Sequence, residues 1–304
     1  MSVPSSRARD AAAFALVALI WGSTWFVIRD QISVVPPSWT VTYRFALASV
    51  AMLALALVRG ESLRLDRAGQ ILALVVGLFQ FFADFQFLYR AEIYLTSGLV
   101  AVMFALLIVP NAVFSRIFLG VPIGRRFIAG SLVAMGGIAL LLLHEYRAAS
   151  KGLGPDVILG VAFGLAGMMS ASVANVIQAM PSVRARAIVP LIGWAMVWGT
   201  VANAAFAWVF AGPPVFDPRP LYLGGIAYLA IVGSVVTFPL YFGLIRTMGA
   251  GRAAYINVAV PVVAMALSTL FEHFRWGALA VGGAVLAMAG LLIAFSGFGK
   301  RAQP

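Results

Sequence analysis

The sequence predicts an all-α integral membrane protein: ten transmembrane helices, arranged as two inverted five-helix repeats around a central cavity. Three observations carry that expectation. The 304 residues are 62% hydrophobic and only 10% charged, with a mean hydropathy of +1.00. Soluble domains are nearer half apolar and a quarter charged, so this chain cannot cover its surface with polar groups and its solvent must be lipid. The apolar residues also fall into ten runs of roughly 17 to 25 residues, the length a bilayer crossing requires. Finally, the two halves of the chain share a pattern at a near-constant offset.

The first run, 11–28, follows MSVPSSRARD. No small-x-small cleavage site follows it and it ends in the tryptophan-bearing WGSTWFVIRD, so it reads as an uncleaved helix rather than a signal peptide. The second, 37–58, starts at a Pro-Pro pair and holds a single formal charge, Arg44. The third, 69–89, contains GLFQFFADFQFLYR, where Asp84 is the one acid deep in a predicted helix. The fourth, 95–119, carries Pro110, and the fifth, 127–143, is glycine-rich. The sixth, 157–178, brings Ser172, Asn175 and Gln178; the seventh, 187–210, brings Trp194 and Trp198. The eighth, 221–245, holds Tyr241, and the ninth, 252–271, holds Tyr255, Asn257 and Pro261. The tenth, 276–296, is glycine-rich again. The loops between runs are short, leaving no room for a soluble domain.

A net charge of +11 could point to nucleic acid. Here the arginines sit in short loops between apolar runs, among them Arg59, Arg64, Arg67, Arg125, Arg126, Arg184, Arg186 and Arg246. That placement marks a cytoplasmic membrane face, puts both termini in the cytoplasm and predicts no nucleic-acid partner. There is no cysteine, which excludes disulfide frameworks and thiolate metal sites. No metal and no cofactor is expected.

GSLVAMGGIALLL at 130–142 aligns without gaps on GAVLAMAGLLIAF at 283–295, matching Gly130 with Gly283, Ala134 with Ala287, Met135 with Met288 and Gly137 with Gly290. Pro110 and Pro261 each lie in the middle of the fourth helix of their half, at a nearly equal offset. Residues 1–150 and 151–304 are therefore expected to be repeats of five helices each. An odd number of crossings inserts the second unit upside down. Inverted repeats suit secondary transporters, in which two half-structures rock about a site near the midplane.

IWGSTW at 20–25, YRFALA at 43–48, the proline-bearing fourth helices and VPVVAMALSTLFEHF at 260–274 resemble the drug/metabolite transporter superfamily in its ten-helix EamA-type branch. Glu272, eleven residues after Pro261, matches that family's proline–glutamate pattern; Val121 stands at the equivalent position of the first half, where the pattern has decayed. The resemblance spans nearly the whole chain. It implies export of small metabolites, often amino acids, from the bacterial cytoplasm through the inner membrane, and the general likeness is greatest to exporters of aromatic and other amino acids. Lipid-linked sugar or phosphate flippases and multidrug exporters could use the same fold.

The polar residues inside the spans are the candidate site, because such residues mark substrate and ion pathways. Arg44 has two readings: it bonds helix-end carbonyls and fixes its helix, or it faces a wet cavity and attracts a carboxylate. Asp84, with Gln80 one turn earlier on the same face, is a candidate proton-coupling site or ammonium contact, or else a buried carboxyl that is protonated, hydrogen-bonded or paired to Arg44. Pro110 and Pro261 each deprive the carbonyl four residues earlier of its partner, for Pro261 that of Asn257, which makes their helices candidate cavity walls and gates. Asn111 follows Pro110 directly. Trp21 and Trp25, one turn apart beside Ser23 and Thr24, and the similarly spaced Trp194 and Trp198 join Tyr43, Tyr241 and Tyr255 as the aromatic lining, with Ser172, Asn175 and Gln178 as polar lining.

Other functional classes fare worse. An aspartyl intramembrane protease needs two membrane carboxylates where this chain offers Asp84, and His144 and His273 fall at helix ends rather than beside a buried serine. No Walker motif appears. The protein is expected not to be an enzyme; its partners are a small-molecule substrate and the lipid bilayer, and ten helices suffice for a functional monomer.

Overall fold

The structure, a computed structural model, describes residues 6–148, 155–254, 256–271 and 276–296. Tyr255, Glu272 and His273 lie outside the described residues. Within them run ten long helices, in the order and at the places expected. These are α1 (Ser6–Gln31), α2 (Pro37–Val58), α3 (Arg67–Tyr94), α4 (Ser97–Leu119), α5 (Arg125–Ala148), α6 (Pro155–Ala179), α7 (Ile188–Ala211), α8 (Pro220–Met248), α9 (Ile256–Phe271) and α10 (Ala278–Ser296). By length and composition α1 to α4 and α6 to α8 are long and apolar enough to cross a membrane, α5 has 24 residues, and α9 and α10 are shorter apolar helices. The protein is an all-helical, multi-pass membrane protein.

Local chemistry sets several boundaries. α2 begins with Pro37 in its first turn and α8 with Pro220, where a missing N–H costs nothing. The Asp66 carboxylate caps α3 by accepting from the Gly69 N–H at 2.8 Å. α4 stops at Gly120, whose φ of 71° a side chain would oppose.

Two helices are irregular where they matter. α3 is π-helical over Gly77–Asp84 and α8 over Tyr228–Val236, stretches that begin 151 positions apart (77 and 228). In α4 the helix stops at Ala105 and resumes at Ile108. Leu106, Leu107 and Val109 donate to carbonyls three residues back, at 3.0, 3.0 and 2.8 Å. The Leu106 carbonyl, which Pro110 was expected to strand, is thus taken by the Val109 N–H. The proline is absorbed by a tighter turn rather than left as an open acceptor.

The helices of the two halves interleave: α2 packs on α7, α1 on α9, α3 on α6 and α7, and α4 on α9. A ring cluster fills the centre, with Phe45 5.1 Å from Phe81 and 4.7 Å from Phe85, and Phe81 4.9 Å from Phe238. α5 and α10 pack chiefly on each other. A methyl group at Gly130 would lie 2.2 Å from the Ala294 nitrogen, at Gly137 2.3 Å from that of Ala287, and at Gly290 2.2 Å from that of Ala134. The pairs run in opposite order along the two helices, so α5 and α10 are antiparallel. The glycines at 130, 137, 283 and 290 bring their backbones together, a common solution where lipid offers no hydrophobic drive.

Candidate functional site

A cavity of about 70 Å³ lies between α1, α3, α4, α6, α8 and α9, with Arg44 of α2 reaching into it. Of the expected residues, Trp21, Trp25, Arg44, Gln80, Asp84, Asn175, Tyr241 and Asn257 line it. Apolar neighbours not singled out in the sequence, notably Phe85, Leu88, Phe104 and Phe238, complete the wall. Nothing distinguishes those four from ordinary core residues without a fold.

Arg44 is 2% exposed and makes no ion pair with Asp84. Its Nε and Nη2 donate to Ser234 Oγ, both at 3.2 Å, Nη2 also reaches the Gly233 carbonyl at 3.4 Å, and Nη1 donates to the Tyr89 hydroxyl at 3.2 Å. The guanidinium lies 4.6 Å from the Phe85 ring centre, a cation–π distance. The π-helical stretch of α8 makes this possible. Its carbonyls are displaced from the usual donors, and that of Gly233 collects Arg44, the Trp21 indole at 3.3 Å and the Thr237 hydroxyl at 2.7 Å. Trp21 also donates to Thr237 Oγ1 at 3.0 Å, and Ser234 Oγ donates to Leu229 O at 2.8 Å. Arg44 therefore bonds a mid-helix carbonyl and hydroxyl instead of helix-end carbonyls. The Gly-Ser pair in the apolar run AIVGSVV was the available signal for this partner.

On the other side, Gln80 Nε2 donates to Asp84 Oδ2 at 2.7 Å, closing the pair expected from their spacing. Asp84 is 3% exposed and its second oxygen, Oδ1, has no partner. Trp21 and Tyr241 meet edge to face with centroids 4.8 Å apart, and Trp25 meets Phe104 at 5.4 Å. Asn175 and Asn257 face the Tyr241 hydroxyl, as does Asn111, which is fully buried beside the cavity rather than lining it. Ser172 is also fully buried and outside the lining. Pro261 borders a separate apolar gap of about 250 Å³ between α4, α9 and α10.

Three expected aromatic lining residues stand elsewhere. The Trp194 indole donates to the Leu63 carbonyl at 2.8 Å and that of Trp198 to Gln70 Oε1 at 3.2 Å, tying α7 to the start of α3 near the loop end. Tyr43 stacks on Trp39 and donates to the Val215 carbonyl at 2.9 Å, in the loop before α8. All three are amphipathic rings whose polar atom is satisfied towards a helix end, the usual place for Trp and Tyr in a membrane.

Polar ties close both ends of the bundle. At the arginine-rich end, Arg186 of the α6–α7 loop binds both oxygens of Asp66 in the α2–α3 loop at 2.5 and 3.0 Å. Arg246 donates to the Arg186 carbonyl at 2.5 Å and to Gln178, which stands here rather than at the cavity, at 3.4 Å, and Arg184 donates to the Arg246 carbonyl. The Arg186 guanidinium, helped by the Gly69 N–H, holds the Asp66 carboxyl below the usual carboxylate range. At the opposite end, Arg219 binds Asp217 at 2.7 Å and reaches Asp30 at 3.8 Å. Asp66 and Asp217 stand 151 positions apart (66 and 217). A wider recess of about 580 Å³ opens at the arginine-rich end between the α4–α5 loop, Arg184 and Thr247–Gly251.

The EamA-like transporter family matches the chain twice, over residues 11–143 and 158–296. Among curated relatives, protein PagO of Salmonella typhimurium is 24% identical, covering 84% of this chain and 82% of its own. A probable amino-acid metabolite efflux pump of Escherichia coli is 25% identical over 94% of each chain, and the inner membrane transporter YedA of the same organism 29% over 89% and 86%. One crystal structure superposes with a TM-score of 0.73 at 19% identity, over 95% of this chain and 97% of that one, a likeness of fold. The chain belongs to the EamA-like transporter family of the drug/metabolite transporter superfamily, and is a multi-pass membrane transporter rather than an enzyme.

Proposed function

We propose that the protein exports small metabolites, chiefly amino acids including aromatic ones, from the bacterial cytoplasm across the inner membrane by alternating access. Residues 1–150 and 151–304 act as inverted repeats, both termini are cytoplasmic, and the monomer is the working unit. The observation that carries this reading is the central cavity: aromatic walls from Trp21, Trp25, Phe85 and Phe238 surround a carboxylate, Asp84, with one oxygen unpartnered. Aromatic walls accept varied side chains, and a carboxylate holds a constant ammonium or a coupling proton. The likeness to a probable amino-acid metabolite efflux pump points the same way. At about 70 Å³ the cavity is far smaller than the roughly 300–1,000 Å³ of ordinary ligand sites, so the bundle must open to load and unload. The ion pairs at its two ends are fit to open in turn. Pro110 and Pro261, in α4 and α9, are placed to let those helices bend.

The test uses purified protein in liposomes preloaded with amino acids and unrelated metabolites, with efflux followed by mass spectrometry. Protein-dependent loss of amino acids is expected, accelerated by an imposed pH gradient in the parent protein and insensitive to it in Asp84→Asn. Retention of every amino acid by folded protein, with movement of a polyprenyl phosphate or a drug-like cation instead, would overturn the reading.

A further inference from the structure

Around the Tyr241 hydroxyl stand three amides on three helices: Asn111 on α4, Asn175 on α6 and Asn257 on α9. Their exposures are 0%, 1% and 6%, and that of Tyr241 is 2%. All three amides lie within loose hydrogen-bonding reach of that hydroxyl, yet both polar atoms of Asn111 and of Asn175, the Asn257 nitrogen and the Tyr241 oxygen make no hydrogen bond of good geometry. One such orphan is costly in an apolar interior. Four residues converging on one spot with only loose contacts among themselves leave donors free to turn to a ligand. The site is rich in N–H donors, with the hydroxyl as another, and Asn257 stands in the first turn of α9, where helix-end partial charge favours an anion. Across the same cavity, Asp84 Oδ1 is an acceptor without a donor.

Arg44, the obvious anion receiver, is otherwise engaged. Its Nε, Nη1 and Nη2 all donate to protein atoms, which makes it a brace between α2, α3 and α8.

We propose that the Asn175 and Asn257 amides, together with the Tyr241 hydroxyl that Asn111 backs from behind, form the seat for the substrate's carboxylate, while Asp84 takes its ammonium. A zwitterion then lies along the cavity with its side chain against Trp21, Trp25 and Phe238, and its carboxylate sits away from Arg44. This assignment rests on the amino-acid reading above and names the atoms that recognise the part all amino acids share.

Because the Asn175 amide makes at most a loose contact with the Tyr241 hydroxyl, replacing it with a leucine of similar shape removes a poorly satisfied polar group, so Asn175→Leu is expected to fold. Tyr241→Phe serves as a milder second variant. Liposomes are loaded with the twenty amino acids, their carboxamides and the corresponding decarboxylated amines, and efflux of each is measured for parent, N175L, Y241F and Arg44→Lys proteins. The parent is expected to favour amino acids over carboxamides by about tenfold or more, the loss of at least one charge-assisted bond. N175L and Y241F shrink that preference to about twofold or less, while R44K keeps it whatever its effect on overall rate and folded yield. A preference unchanged in N175L and Y241F, or abolished by R44K alone, overturns the seat while leaving amino-acid export standing. Absence of any amino-acid efflux by folded parent protein overturns both.

Discussion

At the residue scale, Arg44 shows how far a single letter can be read. A guanidinium inside an apolar run announces itself, and its need for partners follows from charge and burial alone. Its partners do not, because Ser234 and Gly233 lie 190 and 189 residues away. Gln80 and Asp84 were legible as a pair because helical spacing puts them on one face. Trp194 and Trp198 have the same spacing and were expected at the cavity for that reason, but spacing does not say which side of α7 faces inward. Replacing Arg44 with lysine keeps the charge and loses the fork that spans Ser234, Gly233 and Tyr89. A stability loss of about 2 kcal/mol, the scale of a hydrogen bond to a charged group, is expected in thermal melts in detergent. If Asp84 binds the ammonium of the substrate, Asp84→Asn should slow efflux of amino acids about tenfold or more while its melting temperature stays within a few degrees of the parent's.

The element scale is where the sequence was quietest. Ten spans could be drawn from composition, since each crossing must satisfy its own backbone and is bound to the bilayer's thickness. Irregularity inside a span leaves no such trace. Nothing in GLFQFFAD or YLAIVGSVV marks a π-helix, although their matching places in α3 and α8 suggest that the widened turn belongs to the shared pattern. Ser234→Ala removes the hydroxyl that accepts two of Arg44's bonds, and the exposed need of the guanidinium should cost about 1–3 kcal/mol by thermal melt. The proline in α4 was legible, but its consequence was not, because the tighter turn at 106–109 satisfies the carbonyl locally. The glycines of α5 and α10 were read as a repeat and proved to be each other's contact surface. Gly137→Val places a side chain where a methyl group already lies 2.3 Å from the Ala287 nitrogen, so the two helices must separate. A loss of about 3 kcal/mol or more is expected, the upper range for overpacking, read as a lower melting temperature.

At the scale of the whole molecule, the ties at the two ends resemble each other with their charges exchanged. At one end the carboxylate sits on the loop before α3 and the arginine on the loop before α7; at the other, Arg219 precedes α8 and Asp30 ends α1. Asp66 is 61% exposed, so its pair with Arg186 is a weak and salt-screened contact. Since the folded-state pKa of Asp66 is lowered, the tie holds above the ordinary carboxylate range and loosens as pH falls below about 4. Asp66→Ala should raise labelling of a Ser115→Cys reporter, in the recess at that end, about twofold to fivefold, and Asp30→Ala should lower it. The absence of native cysteine keeps that reading clean. One more property follows from the α5–α10 seam. Its contacts are reciprocal, Gly130 meeting Gly290 as Gly283 meets Gly137, and they need no continuous chain to form. Two separately translated pieces, ending after α5 and starting before α6, should therefore recognise each other in the bilayer and reconstitute a working carrier, each piece carrying a copy of the same adhesive edge.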